Sequence, residues 1–494
     1  MRSSTIFKLT VVALVILAIL AILPYFQRWL PKSPAQTPST PIPTIPTVRA
    51  NAYATVAVAG TQWGKSTCYI GAVEGSSRFN ISDLKDLGIN TYHIYGGMSR
   101  WEAQDDSSVY GSPSIAEIKA NPNVINWAQW DNVMSNPPGG SDYSWVGTSP
   151  SWHGNARTLF ASLKAEGIQP VVTLRNRDDQ QHPSWAPNPP TTQADWNEWW
   201  EHVFATVYWL NVRNTYDVND FEVQNEPDVA YGGWKGTQAQ YITFLQYTHD
   251  AVDYVYKTYL PGQTYHLYTP ATTTGSDWPN AILQQAPDAF DSLDIHDYDP
   301  DISAEVKRAH SWLNAHGKGD YPVWISEWGS YKETEKYNTV PLGISLIDNL
   351  IRGSQPGDDY VYGSHIFSLY DYGTLPFGLI SYNGTRRADY YAMRLAIRTL
   401  QGCRPTYQST TSDPNLLAIT TRDAKGGVYF LVTNQDSQKN YRVNVDLSAL
   451  ISGGKGTIWQ FDTHYHDQVV GSAVANKGQV TLTLPANGAL LVKY

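Results

Sequence analysis

The stretch FEVQNEPDVA, residues 221–230, sets a strand-like run hard against Asn-Glu-Pro. A proline cannot donate to a central ladder, so a strand here stops at Pro227. In a regular strand Asn225 and Glu226 would point to opposite sides. Both reach one ligand only if the strand bulges or ends at that point. A second run, YPVWISEWGSY at 321–331, has the same design. Its alternation predicts Val323, Ile325 and Glu327 on one face, apolar until Glu327 ends the strand.

Working outward, six more strand-like runs accompany these two: TCYIGAV, NTYHIYG, QPVVTLR, TYHLYTP, SLDIHDY and SHIFSLY. Longer segments lie between them, among them NARTLFASLKAEG, QADWNEWWEHVFATVYWLNV and AQYITFLQYTHDAVDYVYKTYL. Several carry apolar residues at three- and four-residue spacing, the mark of a helix with one buried face. Eight such pairs predict an α/β fold, a (β/α)8 TIM barrel over residues 52–403. By this count Glu226 ends the fourth strand and Glu327 the seventh, both on the face where barrel enzymes work. A Trp-rich insertion at 97–154, with Trp101, Trp127, Trp130, Trp145 and Trp152, is expected on that face too.

Before the barrel, residues 9–26 form a strongly apolar run that predicts a membrane-spanning signal anchor within residues 1–30. A cleaved signal is the alternative, but no small-residue cleavage site follows. The proline-rich segment 31–51 predicts an extended linker. The expected location is therefore the cell membrane, single-pass, with the body outside. After residue 403 the helical pattern gives way to short alternating runs between turns. They predict an antiparallel β-sandwich over 404–494.

A net charge of −10 and no Lys/Arg cluster argue against a nucleic-acid partner. Two cysteines, Cys68 and Cys403, exclude a cysteine-built zinc site and leave one long-range disulfide open. Asp297, Asp299 and Asp301 alternate but lack the glycine and closing glutamate of a calcium loop. No cofactor or metal is expected. The 18 Trp and 33 Tyr suit flat sugar rings as well as cores.

Two glutamates on one rim suit glycoside hydrolysis, one protonating the leaving oxygen and the other attacking the sugar carbon. QNEP at the fourth strand end and ISEWG at the seventh resemble the clan A retaining glycoside hydrolases, in the manner of xylosidases or endoglycosidases. The resemblance implies that Glu226 is the acid/base and Glu327 the nucleophile. It also implies that Asn225 binds the sugar 2-hydroxyl. DIHDY resembles the clan's sixth-strand His-x-Tyr, which implies that Tyr298 donates to Glu327 and that His296 lines the subsite.

Two departures stand out. His93 takes the place of the clan's second-strand arginine, with Arg100 or Arg175 able to fold back. Phe367 takes the place of its eighth-strand tryptophan, with Tyr370 nearby. Trp328 completes the expected pocket. Asn176, Asp178, Trp185, Trp234 and Trp278 are further sugar contacts to weigh against loop and core roles. The expected activity is cleavage of β-glycosidic bonds in an oligo- or polysaccharide by double displacement. The alternatives are a transglycosylase of the same clan and an inactive, membrane-tethered glycan-binding protein.

Overall fold

The computed structural model describes residues 49–494 apart from 76–78, 102–112, 136–155, 177–186, 230–231, 331–336 and 373–374. It contains two closed β-barrels. The first strand, β1 (Ala52–Lys65), belongs to the second of them.

The eight expected runs form the first barrel. In chain order its strands are β2 (Tyr69–Val73), β3 (Thr91–Tyr95), β4 (Gln169–Leu174), β5 (Asp220–Val223), β6 (His266–Thr272), β7 (Ser292–Asp297), β8 (Val323–Trp328) and β9 (Gly363–Ile366). Each pairs parallel with the next, and β9 closes back on β2. Helices between the strands bury their apolar faces against the sheet. Among the described residues three begin on reciprocal caps: Ser114 with Glu117, Thr192 with Asp195, and Thr237 with Gln240. Each cap satisfies amide groups that a helix start leaves unpaired. This is the expected (β/α)8 architecture.

In the insertion after β3, Trp101, Trp127 and Trp130 are buried core residues. Trp130 packs on His202 of the helix Gln193–Tyr208, on the barrel's flank. Trp145 and Trp152 lie outside the described residues.

The second barrel runs β1, then β10 (Pro405–Thr411), β11 (Leu416–Arg422), β12 (Val428–Asn434), β17 (Gly488–Lys493), β14 (Gly453–Phe461), β15 (His466–Asn476), β16 (Gln479–Leu484) and β13 (Tyr441–Asp446). The sandwich expected at 404–494 is thus a nine-stranded closed sheet that includes β1. The boundary expected at residue 52 moves to the start of β2. The physical reason is alternation. Ala54, Val56 and Val58 are buried while Tyr53, Thr55 and Ala57 are exposed. That pattern suits a sheet with one wet face and not a central parallel strand buried on both.

The second barrel covers the last two helices of the first. Asp467 accepts from Arg394 and Arg398 of the helix Ala388–Leu400. Phe461 lies over Gly343, where an added Cβ would come within 2.6 Å of its ring. Cys68, just before β2, and Cys403, just past that last helix, form a disulfide that spans 335 positions. Among the described residues no helix is long and apolar enough to cross a membrane. The expected anchor and the linker up to residue 48 lie outside the described residues.

Candidate active site

The end of β5 explains itself through backbone sterics. Gln224 and Glu226 both adopt positive φ, at 56° and 38°. Non-glycine residues rarely do so, and such strain concentrates at functional sites. The ladder stops at Val223, and the Glu226 amide donates to Ala271 O at 3.0 Å. Gly232 allows the returning loop to pass, since a Cβ there would lie 2.0 Å from Glu226 O. The strand thus ends where the Asn-Glu pair required it to. Asn225 Oδ1 is buried and has no hydrogen-bond partner, so an acceptor is left over for a ligand.

β8 corrects one expectation. Val323 and Ile325 belong to the main core, while Trp324 packs in a separate cluster with Val171 of β4 and Tyr268 of β6. Register shifts against β7 and β9 fall at Ser326–Glu327. This bulge, and not alternation with Val323 and Ile325, brings Glu327 to the site. The next residue, Trp328, therefore faces the core, where it is buried. It is not a pocket residue.

The two glutamates meet. One carboxylate oxygen of Glu226, one of Glu327 and a ring nitrogen of His296 all lie within 4.8 Å of one another. Retaining glycosidases hold their carboxyl groups about 5–5.5 Å apart and inverting ones about 6.5–9.5 Å. His296 Nδ1 is 2.8 Å from Glu226 Oε1 and 3.6 Å from Glu327 Oε2. Tyr298 OH donates to Glu327 Oε2 at 2.5 Å, as expected of the His-x-Tyr pair. Tyr95 OH donates to the other oxygen, Oε1. Both Glu327 oxygens thus accept phenol hydroxyls, and one Glu226 oxygen faces the His296 ring.

Burial pushes the Glu327 carboxyl up, and the neighbouring Glu226 charge adds to this; His296 and the two phenols oppose it. Burial alone would lower His296, but the Glu327 and Glu226 carboxylates push it up to about 10.

Sequence reasoning misses Tyr95. In TYHIY, Thr91, His93 and Tyr95 share a face, and the residue at the rim is Tyr95. His93 lies deeper, with no exposed surface, its Nε2 3.1 Å from Glu222 Oε2 and 2.7 Å from Thr173 Oγ1. It is an interior residue and not a pocket residue. Arg175 does fold back, its guanidinium 4.6 Å from the centre of the Tyr95 ring. A second overlooked group is Glu74, past the end of β2, whose carboxylate accepts the Tyr95 amide at 3.2 Å. A glutamate closing YIGAVE is the signal for it.

Phe367 lies among aromatic rings. It stacks on Tyr372 and meets Tyr298 edge-on, with ring centres 5.2 and 6.2 Å away. Tyr370 does not join it. Its hydroxyl accepts the Asn80 amide and donates to Asp83 at the helix Ile81–Leu87. Trp234 and Trp278 pack around Tyr241 in the core. Asn176 is buried, with Nδ2 donating to Pro187 O and Oδ1 unpartnered. Asp297 accepts from Thr274, and Asp301 accepts the Ser303 amide and pairs with Arg352, so these two aspartates serve local structure. The Arg100 side chain, Asp178 and Trp185 lie outside what is described.

No family model matches the chain, and no curated protein matches its sequence. Solved structures do. A GH30 endoxylanase from Clostridium papyrosolvens superposes with a TM-score of 0.61 at 14% identity, covering 90% of this chain and 99% of that one. A monomeric beta-xylosidase from Caulobacter crescentus gives 0.60 at 15% identity, with 89% and 99% covered. An alpha-L-arabinofuranosidase from Thermotoga maritima gives 0.62 at 11% identity, with the same coverage. The resemblance to clan A glycoside hydrolases thus holds at the level of fold, across both barrels.

Proposed function

We propose that the protein is a retaining glycoside hydrolase that cleaves β-glycosidic bonds by double displacement. The observation that carries this reading is the convergence of Glu226 and Glu327, with Glu327 gripped by two phenols. In the first step Glu226 gives its proton to the glycosidic oxygen while a Glu327 oxygen bonds to the anomeric carbon. The bond to the leaving group breaks, and the aglycone departs as an alcohol. In the second step the Glu226 carboxylate takes a proton from water. The water oxygen bonds to the anomeric carbon and Glu327 is released. Asn225 Oδ1 accepts from a sugar hydroxyl, and Phe367 stacks beside the ring.

The catalytic body acts outside the cell, tethered by the apolar run 9–26 and the proline-rich linker. The Cys68–Cys403 disulfide supports this, because such bonds persist in oxidising compartments.

The test is a pair of variants on two substrates. Glu327→Ala abolishes the covalent glycosyl-enzyme and lowers kcat/KM on every glycoside by roughly 10⁴- to 10⁶-fold. Glu226→Ala spares aryl glycosides with good leaving groups far more than natural ones, since those need little protonation. Equal residual activity of both variants on both substrates contradicts these roles.

A further inference from the structure

One of the two phenols on Glu327 lies under a cation that the double displacement does not use. Tyr95 ends β3, and Arg175 is the first residue past β4. Arg175 turns back toward β3 and sets its guanidinium 4.6 Å from the centre of the Tyr95 ring. A cation and a ring face attract within roughly 6 Å. Both side chains are nearly fully buried, and a guanidinium keeps its charge in a protein.

The local backbone is shaped to admit this pair. Arg175 Nε donates to Gly96 O at 3.0 Å, and the Met98 amide donates to Arg175 O at 3.2 Å. Gly97 adopts φ 119°, and a Cβ there would lie 2.6 Å from Arg175 Cγ and 2.7 Å from Arg175 O. The Tyr95 hydroxyl donates to Glu327 Oε1. Burial and the Glu327 charge push this phenol well up, so it keeps its proton and stays a donor. A positive charge over the ring face draws on the ring's electrons, and the O–H becomes a stronger donor to an anion.

We propose that Arg175 is a positioning residue that acts on Glu327 through the Tyr95 ring, and that it serves the second half of the double displacement. In that step the water oxygen bonds to the anomeric carbon and Glu226 takes the water's proton. The bond from that carbon to Glu327 breaks, and its electron pair returns to the Glu327 carboxylate. A hydrogen bond stabilises the departing carboxylate more than the ester it departs from, so a stronger Tyr95 donor speeds this step. It does not speed the first step, in which Glu327 gives up its charge. The kinetic part rests on the glycosidase reading; the coupling of Arg175 to Glu327 does not.

The groups that face Glu327 are Glu226 beyond β5, His296 and Tyr298 at β7, Tyr95 and His93 on β3, and Tyr337. Arg175→Met leaves all of them in place and removes the charge over one.

The test is a double-variant cycle in the full chain with two readouts. The first is the titration of Glu327 by ¹³C NMR of glutamate-labelled protein, assigned by its loss in Glu327→Gln. Arg175→Met is expected to move that titration up, and Arg175→Lys, which keeps the charge, to move it less. Tyr95→Phe has no hydroxyl for the charge to act on, so adding Arg175→Met to it should move the titration little further. The second readout is kinetic, on aryl glycosides whose good leaving groups make breakdown of the glycosyl-enzyme rate-limiting. Arg175→Met is expected to lower kcat by about 3- to 30-fold, with KM falling alongside so that kcat/KM holds. A loss of kcat/KM with an unchanged titration shows a purely packing role and overturns the proposal. So does an equal shift in the Tyr95→Phe background, which would mean that Arg175 acts without the phenol. If no glycoside is cleaved, the glycosidase reading fails and the titration alone decides the coupling. If Arg175→Met does not fold, Arg175→Gln, which keeps a donor for Gly96 O, is read in its place.

Discussion

The chain builds two closed barrels and fills them with opposite materials. Inside the second barrel lie Val56, Phe430, Val432, Val443, Val445, Leu482, Leu484, Leu490 and Val492, each almost fully buried. Inside the first, above a floor of Val171, Tyr268 and Trp324, lie carboxylates, imidazoles and hydroxyls. Parallel barrels of this kind are ordinarily packed with branched aliphatics. Burying an ion pair costs several kcal/mol per ion before its attraction returns anything, so the polar filling is a poor route to stability. The contrast separates two tasks. The second barrel contributes apolar burial and covers two helices of the first. The first gives up apolar packing and places titratable groups beneath Glu226 and Glu327.

That separation can be broken by experiment. Leu484→Ala in the apolar barrel should cost about 2–5 kcal/mol of stability, the transfer free energy plus the cavity left behind. Calorimetry or denaturant unfolding reads it, and the pH profile of any remaining activity should be unchanged. A shifted profile would mean that the second barrel takes part in the chemistry. Tyr95→Phe in the polar barrel is the mirror case. It removes one hydroxyl that donates to Glu327 and should lower kcat by about 10²-fold with little change in unfolding. A loss of stability without loss of rate would place Tyr95 among the packing residues.

The sequence is most legible where one physical rule acts alone. All eight strands of the first barrel can be read, because short runs rich in β-branched and aromatic residues alternate with helical segments. Glu226 and Glu327 stand out because a carboxylate at a strand end has no packing role. Legibility fails where two rules compete. Alternation puts Glu327 with Val323 and Ile325, but a bulge at Ser326–Glu327 changes the count, and no residue in ISEW marks it. The same bulge turns Trp328 into the core. Alternation in AYATVAVAG is plain, yet it does not reveal the strand's sheet, since partners about 350 positions away leave no local trace. His93 looks like the pocket residue, and Tyr95 does not, when the face they share is read one step short of the rim. Tyr370 looks like a wall of the pocket because its polar partners, Asn80 and Asp83, are distant in sequence.

The smallest expected effect probes the cost of polar filling directly. Asp220 lies at the start of β5, with its carboxylate accepting from Tyr268 OH. Burial pushes Asp220 up to about 6, although the Tyr268 hydrogen bond opposes the shift. The unfolded chain ionises it near pH ~4. Between those values the folded protein keeps a proton that the unfolded chain has released. This group's contribution is therefore full below about pH 4 and is lost as pH rises through about 6, a change of about 2–3 kcal/mol. A carboxamide cannot ionise, so Asp220→Asn removes the dependence. Denaturant unfolding of both proteins at about pH 4 and about pH 7.5 should show the variant gaining on the wild type by that amount. Leu484→Ala should lose the same at both pH values, because nothing near an apolar cavity titrates. If the two variants instead run parallel, the polar barrel carries its charges without penalty, and the division of labour between the barrels fails.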